Sequence, residues 1–237
     1  MKRIACFFFI VLIALACKNA LHAQNLVINP GFEIHPGFPD RVTNSPTIKA
    51  ITIPGWTDPT EGTSDLYIWG PEKTENSITP VPDSGNAYGG FWGSDQGKGE
   101  GEYMQGTLSM PLKAGVTYRF SISIWIDIGL YGNENDINSF EVSFSDSSRK
   151  NLGGLAQSIE LKSQIKLSTS KRIQRTGRWD VYQMDYTARG GERYFILGTF
   201  RDRGVKVSSD YVTPTYFYID NVSLVSEEEL GPIPPGY

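Results

Sequence analysis

Two carboxylates stand nearly the whole length of the chain apart in settings that could hold a cation. Glu33 closes Asn29-Pro30-Gly31-Phe32-Glu33, and Asp220 lies inside Tyr218-Ile219-Asp220-Asn221-Val222. Each sits inside or beside an apolar run. If the two runs are neighbouring strands, both ends of one β-sandwich meet there, and the two side chains can share one cation.

A second kind of chemistry is aromatic. Trp56, Trp69, Trp92, Trp125 and Trp179 are the chain's 5 tryptophans. Flat rings stack on the C–H faces of sugars, while amides, acids and arginine bond the hydroxyls. Trp69 shares a strand face with Tyr67. Trp92 ends a strand at a glycine-rich loop. Trp125 stands on a polar strand face together with Arg119. The candidate ligand-binding set is therefore Tyr67, Trp69, Trp92, Arg119 and Trp125, with Trp56 and Trp179 expected in the core.

Signals for catalysis are weak. Beyond His22 the only histidine is His35, in a loop rich in proline and glycine. No G-x-S-x-G elbow is present. The segment Gly93–Gly99 lacks the spacing of a phosphate-binding loop. Glu100, Glu102, Asp127 and Glu141 could supply the paired carboxylates of glycosidase or lyase chemistry, which needs them about 5–10 Å apart. Nothing in their spacing selects a pair, so the expectation is no enzyme.

The elements that must position these residues follow a leader. Lys2 and Arg3 precede the apolar run Ile4–Ala16, which is shorter than the roughly 20 residues that span a bilayer. This predicts a signal peptide over 1–23 and an exported protein, secreted, periplasmic or at the cell surface. Cleavage after Ala23 leaves Gln24 first; lipid attachment at Cys17 is the alternative. Removing 1–23 takes Lys2, Arg3 and Lys18 and leaves 19 basic against 26 acidic residues, a net charge of −7. A surface of that sign repels nucleic acid and anionic lipid. Both cysteines, Cys6 and Cys17, lie in the leader, so the mature domain has no disulfide, zinc cluster or thiol nucleophile. The basic residues Lys162, Lys166, Lys171, Arg172, Arg175 and Arg178 read as a solvated loop or as a contact for an acidic polysaccharide.

Residues 24–225 read as strands and turns. Val116, Tyr118, Phe120, Ile122, Ile124, Ile126 and Ile128 alternate with polar partners, a period of two that specifies a half-buried strand. Shorter runs follow the same rule: 25–28, 48–53, 65–69, 86–92, 102–109, 140–144, 180–188, 194–200 and 216–225. Residues 155–167 could hold a short helix, and 226–237 an acidic, proline-bearing tail. Many short strands at regular spacing predict an all-β protein, an antiparallel β-sandwich of jelly-roll type.

With the strands placed, four motifs in order resemble a known pattern. They are Asn29–Glu33, Ile53-Pro54-Gly55-Trp56, Asp83-Ser84-Gly85-Asn86-Ala87-Tyr88 and Tyr218–Val222. The order is similar to galactose-binding-like jelly rolls, among them carbohydrate-binding modules of the cellulose- and xylan-binding type. The resemblance implies a structural Ca²⁺ held by Glu33 and Asp220, with the turn Asp83–Gly85 approaching the same place. Asn221 stands where a second aspartate is frequent. It further implies a non-catalytic module that binds a polysaccharide or glycan. The alternative is a structural or adhesion module of the envelope with a protein partner.

Overall fold

The computed structural model describes residues 24–37, 47–49, 51–70, 79–93, 101–127, 139–152, 159–167, 176–200 and 215–230. The leader, residues 231–237, the loop 94–100 with Glu100, and Lys171, Arg172 and Arg175 lie outside them.

Alternating sequences become strands, and the strands form two antiparallel sheets. In chain order they are β1 (Thr47–Lys49), β2 (Thr52–Ile53), β3 (Trp56–Thr57), β4 (Asp65–Ile68), β5 (Ala87–Trp92), β6 (Met104–Thr107), β7 (Thr117–Asp127), β8 (Phe140–Ser145), β9 (Ile165–Leu167), β10 (Asp180–Thr187), β11 (Tyr194–Gly198) and β12 (Tyr216–Ser226). A helical turn, α1 (Glu227–Leu230), follows. The first sheet runs β1-β4-β5-β12-β7-β10 and the second β2-β3-β6-β11-β8-β9. The antiparallel β-sandwich expected from the alternation is the fold.

The core lies between the sheets. The even-numbered residues of β7 carry it: Phe120 meets Phe195 of β11 at 5.9 Å and Phe144 of β8 at 6.4 Å, edge to face. Trp56, fully buried, stacks on Phe32 at 4.6 Å, and its Nε1–H donates to the Asn29 carbonyl.

Three local expectations are corrected. The segment 25–28 is no full strand. It makes one bridge, Val27 to Leu108, while Leu26 bonds Leu224 in the first sheet and Ser109 beside the second, stitching both. The run 48–53 splits, β1 to one sheet and β2 to the other. Asn29–Glu33 is a turn rather than a strand beside β12. Asn29 and Phe32 have positive φ (55° and 63°), and Val222 N–H donates to the Pro30 carbonyl. The two runs are neighbours through that hydrogen bond, with a bulge in β12 between Asp220 and Ser223. Among the described residues no helix is long and apolar enough to cross a membrane.

Candidate functional site

Strand alternation places Tyr216, Tyr218 and Asp220 on one face of β12, while Phe217 and Ile219 enter the core. That outer face of the first sheet gathers the chemistry. Register puts Tyr216 beside Trp92 and Asp127, Tyr218 beside Gly90 and Trp125, and Asp220 beside Ser123. Across β4, Tyr67 pairs with Tyr88 and Asp65 with Gly90.

Seven rings form one connected network there. Trp92 meets Tyr216 at 4.8 Å, and Tyr216 meets Tyr218 at 4.7 Å and Tyr67 at 6.3 Å. Tyr67 stacks on Tyr88 at 5.0 Å, with Tyr218 edge-on at 5.3 Å. Tyr88 continues to Trp179 at 5.6 Å, and Trp179 to Trp125 at 6.1 Å. The four tyrosines are buried, whereas Trp92 is 41 % exposed. Gly90 makes the crowding possible. A Cβ there would lie 2.6 Å from the Tyr216 hydroxyl oxygen and 2.9 Å from Tyr67 Cε2.

One end of the network is acidic. Tyr216 donates its hydroxyl proton to Asp65 Oδ2 at 2.6 Å, and the Tyr67 and Tyr216 hydroxyls bond at 2.9 Å. Glu102 accepts the Trp92 N–H at 3.0 Å, and Asp58 accepts the Ser64 hydroxyl and N–H. Burial first, then the neighbouring acids, push Glu102 up to about 7; Asp65 and Asp58 are those neighbours. Burial likewise raises Asp58 to about 7, with Asp65 adding to it. Burial holds the Tyr67, Tyr88 and Tyr216 hydroxyls protonated well above the ordinary tyrosine value, and raises Tyr218 to about 12. Carboxyl groups that titrate near 7 beside protonated tyrosines can give and take protons at neutral pH. Burying them costs stability that apolar residues would not.

The opposite end is the clasp. Asp220 is fully buried and accepts the Ser84 N–H at 3.0 Å and its neighbour Asn221 N–H at 2.7 Å. Glu33 Oε1 accepts the N–H groups of Asn86 and Ala87 at 2.8 and 2.9 Å. Asp83 accepts from Ser123 at 2.6 Å and from the Asn221 amide at 2.8 Å. Burial first, with the nearby Asp83 and Glu33 contributing, raises Asp220 to about 7. Asn29, Phe32, Gly85 and Asn221, all with positive φ, cluster here. Among the described residues no group of three His, Cys, Asp or Glu side chains converges as a metal-binding cluster. A cation at this place would take the carboxylates together with backbone carbonyls and water; hard oxygens suit Ca²⁺.

Of the residues singled out by sequence, Tyr67, Trp92 and Trp125 come together on the network, and Glu33 and Asp220 at the clasp. Trp69 follows the end of β4, half-buried, its N–H donating to Asn86. Arg119 shares Trp125's face but lies six residues, about 20 Å, along β7, and pairs with Asp185 at 3.1 Å and Glu227 at 2.7 Å. Trp179, expected in the core, lies on the outer face. Lys166 pairs with buried Glu141 at 3.0 Å, and Arg178 with Asp180 at 3.0 Å on either side of Trp179. Sequence reasoning missed Asp58, Asp65, Tyr88, Tyr216 and Tyr218, whereas the turn beginning at Asp83 was expected at the clasp. The available signal was tyrosine alternating with Phe217 and Ile219 along the last strand.

No protein-family model and no curated protein matches the chain. Among solved structures it is similar to a cyclase from Fischerella sp. TAU in complex with 4-(1H-indol-3-yl)butan-2-one, at 15% identity and a TM-score of 0.47 over 86% of this chain and 98% of that one. It is also similar to an apo form cyclase from Fischerella sp., at 16% identity and a TM-score of 0.44 over 86% of this chain and 97% of that one. These are enzymes and not carbohydrate-binding modules. The assignment to carbohydrate-binding modules is thereby overturned, as are the non-catalytic reading, its structural or adhesion alternative, and the expectation of no enzyme. The motifs behind that assignment are turns at the seam of the sandwich, and a seam does not specify what the outer face binds.

Proposed function

We propose that the outer aromatic face binds a small organic molecule with a planar apolar body and a basic nitrogen, and exchanges a proton with it. The observation that carries this reading is the seven-ring network ending in Tyr67, Tyr216 and Asp65, with Glu102 and Asp58 beside it. Rings supply stacking surface and attract a cation. The acidic end pairs with the nitrogen, and Glu102 gives the proton or takes it back. No other bond changes in that step. Calorimetry at pH 8 with 2-naphthylmethylamine and 2-naphthylmethanol tests it. The amine is expected to bind at least about tenfold tighter, the worth of one charge-assisted hydrogen bond. Equal affinities, or no binding of either, would sink the reading.

The clasp supports a second reading, a structural Ca²⁺ at Glu33 and Asp220. The charges of Asp83 and Glu33 act against ionisation of Asp220 there, and a divalent cation would relieve that repulsion. The melting temperature at pH 8 is expected to be higher in CaCl₂ than in EGTA, and an unchanged value would contradict the site. The leader supports export, with Gln24 as the first mature residue. The intact mass of the protein recovered from its native host checks this; a retained residue 1–23 segment would refute it.

A further inference from the structure

We propose that Gln24 is a modification site: once the leader is removed, its α-nitrogen closes onto its own side chain, with Glu229 accepting the proton, and leaves a pyroglutamyl residue. The inference rests on the leader reading and goes beyond it, from where the chain is cut to what its new terminus becomes. It is independent of the aromatic face and of the clasp. Gln24 is exposed, and its N–H donates to Glu229 Oε2 at 2.9 Å, 205 residues away. Both partners are held in place. The Asn25 side-chain amide donates to the Val222 carbonyl at 3.1 Å, and its oxygen accepts the Leu224 N–H at 3.0 Å. Leu26 N–H donates to the Leu224 carbonyl at 2.9 Å. On the other side α1 carries Glu229, and its first residue, Glu227, pairs with Arg119 at 2.7 Å. A cut after Ala23 turns the Gln24 peptide nitrogen into an amine at the position that already meets the carboxylate.

An α-amine titrates at about 8, so a share of it is a neutral nucleophile at neutral pH. Its nitrogen attacks Cδ of the Gln24 side chain. The N–Cδ bond forms, the Cδ–Nε2 bond breaks, and ammonia leaves. Glu229 takes the proton that the attacking nitrogen sheds and returns it to the departing ammonia, as a general base does. The ring closes within one residue, so Asn25 keeps its hydrogen bonds, and the exposed Gln24 side chain has room to fold back. The lactam retains one N–H, and one N–H is what the contact with Glu229 uses. The terminus thereby loses its positive charge and keeps its anchor, and an aminopeptidase finds no amine to hold.

The N-terminal peptide of the protein recovered from its native host is expected to begin at Gln24 and to be one ammonia lighter than its sequence. A peptide that begins elsewhere would refute the leader reading and the modification with it. One that begins at Gln24 with its amine intact would overturn the modification alone. The part played by Glu229 is read on mature protein released in vitro with Gln24 first, its loss of ammonia followed by mass at pH 8. The folded protein should cyclise about tenfold faster than the same protein in urea, below the usual range for a positioned base because the carboxylate is exposed. Glu229→Gln should slow the folded protein to the rate in urea and leave its melting temperature unchanged. Equal rates for the folded protein, the protein in urea and Glu229→Gln would overturn the assignment of Glu229, as would slower conversion in the folded state.

Discussion

Trp56→Ala is expected to destabilise the protein by about 3–5 kcal/mol, the range for deleting a large buried aromatic side chain. The indole is fully buried between Phe32, stacked at 4.6 Å, and Phe195, edge-on at 5.6 Å. Its Nε1–H also satisfies the Asn29 carbonyl at 2.9 Å. Asn29 begins the turn that presents Glu33, so the lost volume lies directly beneath the clasp. Trp56→Phe separates the two contributions. It keeps a ring on Phe32 and removes one of the two hydrogen bonds to the Asn29 carbonyl, which still accepts the Phe32 N–H, a loss of about 0.5–1.5 kcal/mol. Urea unfolding checks both variants. A Trp56→Ala midpoint close to wild type would mean that the clasp turn does not depend on this ring.

Gly85→Ala is expected to cost about 3 kcal/mol or more. Gly85 has φ +58°, where an added Cβ is strained, and that Cβ would lie 2.1 Å from Glu33 Oε1 and 2.5 Å from Glu33 Cδ. Glu33 must then leave the Asn86 and Ala87 N–H groups, and orphaning that of buried Ala87 costs about 1–3 kcal/mol. The variant should also lose its response to CaCl₂, because one carboxylate of the clasp has been displaced. Thermal melting with CaCl₂ and with EGTA reads both effects. A stable Gly85→Ala protein with a normal calcium response would show that Glu33 holds no part of the cation site.

The fold was legible because it depends on local rules. The alternation from Val116 onward is a period of two that only a half-buried strand satisfies, and it appears as β7 over 117–127. Trp56 after Pro54-Gly55 was legible as a core anchor for the same reason: an apolar ring behind a turn has one place to go. The clasp was legible because Glu33 and Asp220 lie in recognisable turn and strand-end motifs. The aromatic face was legible only in part. Tyr67, Trp92 and Trp125 were visible as aromatic residues on polar strand faces. Their neighbours Tyr88, Tyr216 and Tyr218 come from strands separated by more than a hundred residues, and only the register of β5, β12 and β7 unites them. Trp179 was misplaced because it immediately precedes β10, where strand alternation does not yet decide which face is outward. Asp65 looked like a polar strand start; its bond to Tyr216, 151 residues away, has no local sign.

The central claim is that the acidic end of the aromatic face recognises a basic nitrogen through carboxyls that titrate near 7. The measurement that tests it most directly is the ratio of the 2-naphthylmethylamine and 2-naphthylmethanol affinities at pH 5.5 and at pH 8.5. Glu102 and Asp58, raised to about 7, are neutral at the lower pH and ionised at the higher, while the amine is charged at both. The preference for the amine should therefore grow with pH, by about tenfold, and Glu102→Gln should flatten the rise. A ratio that is the same at both pH values, or that falls as pH rises, would contradict the account.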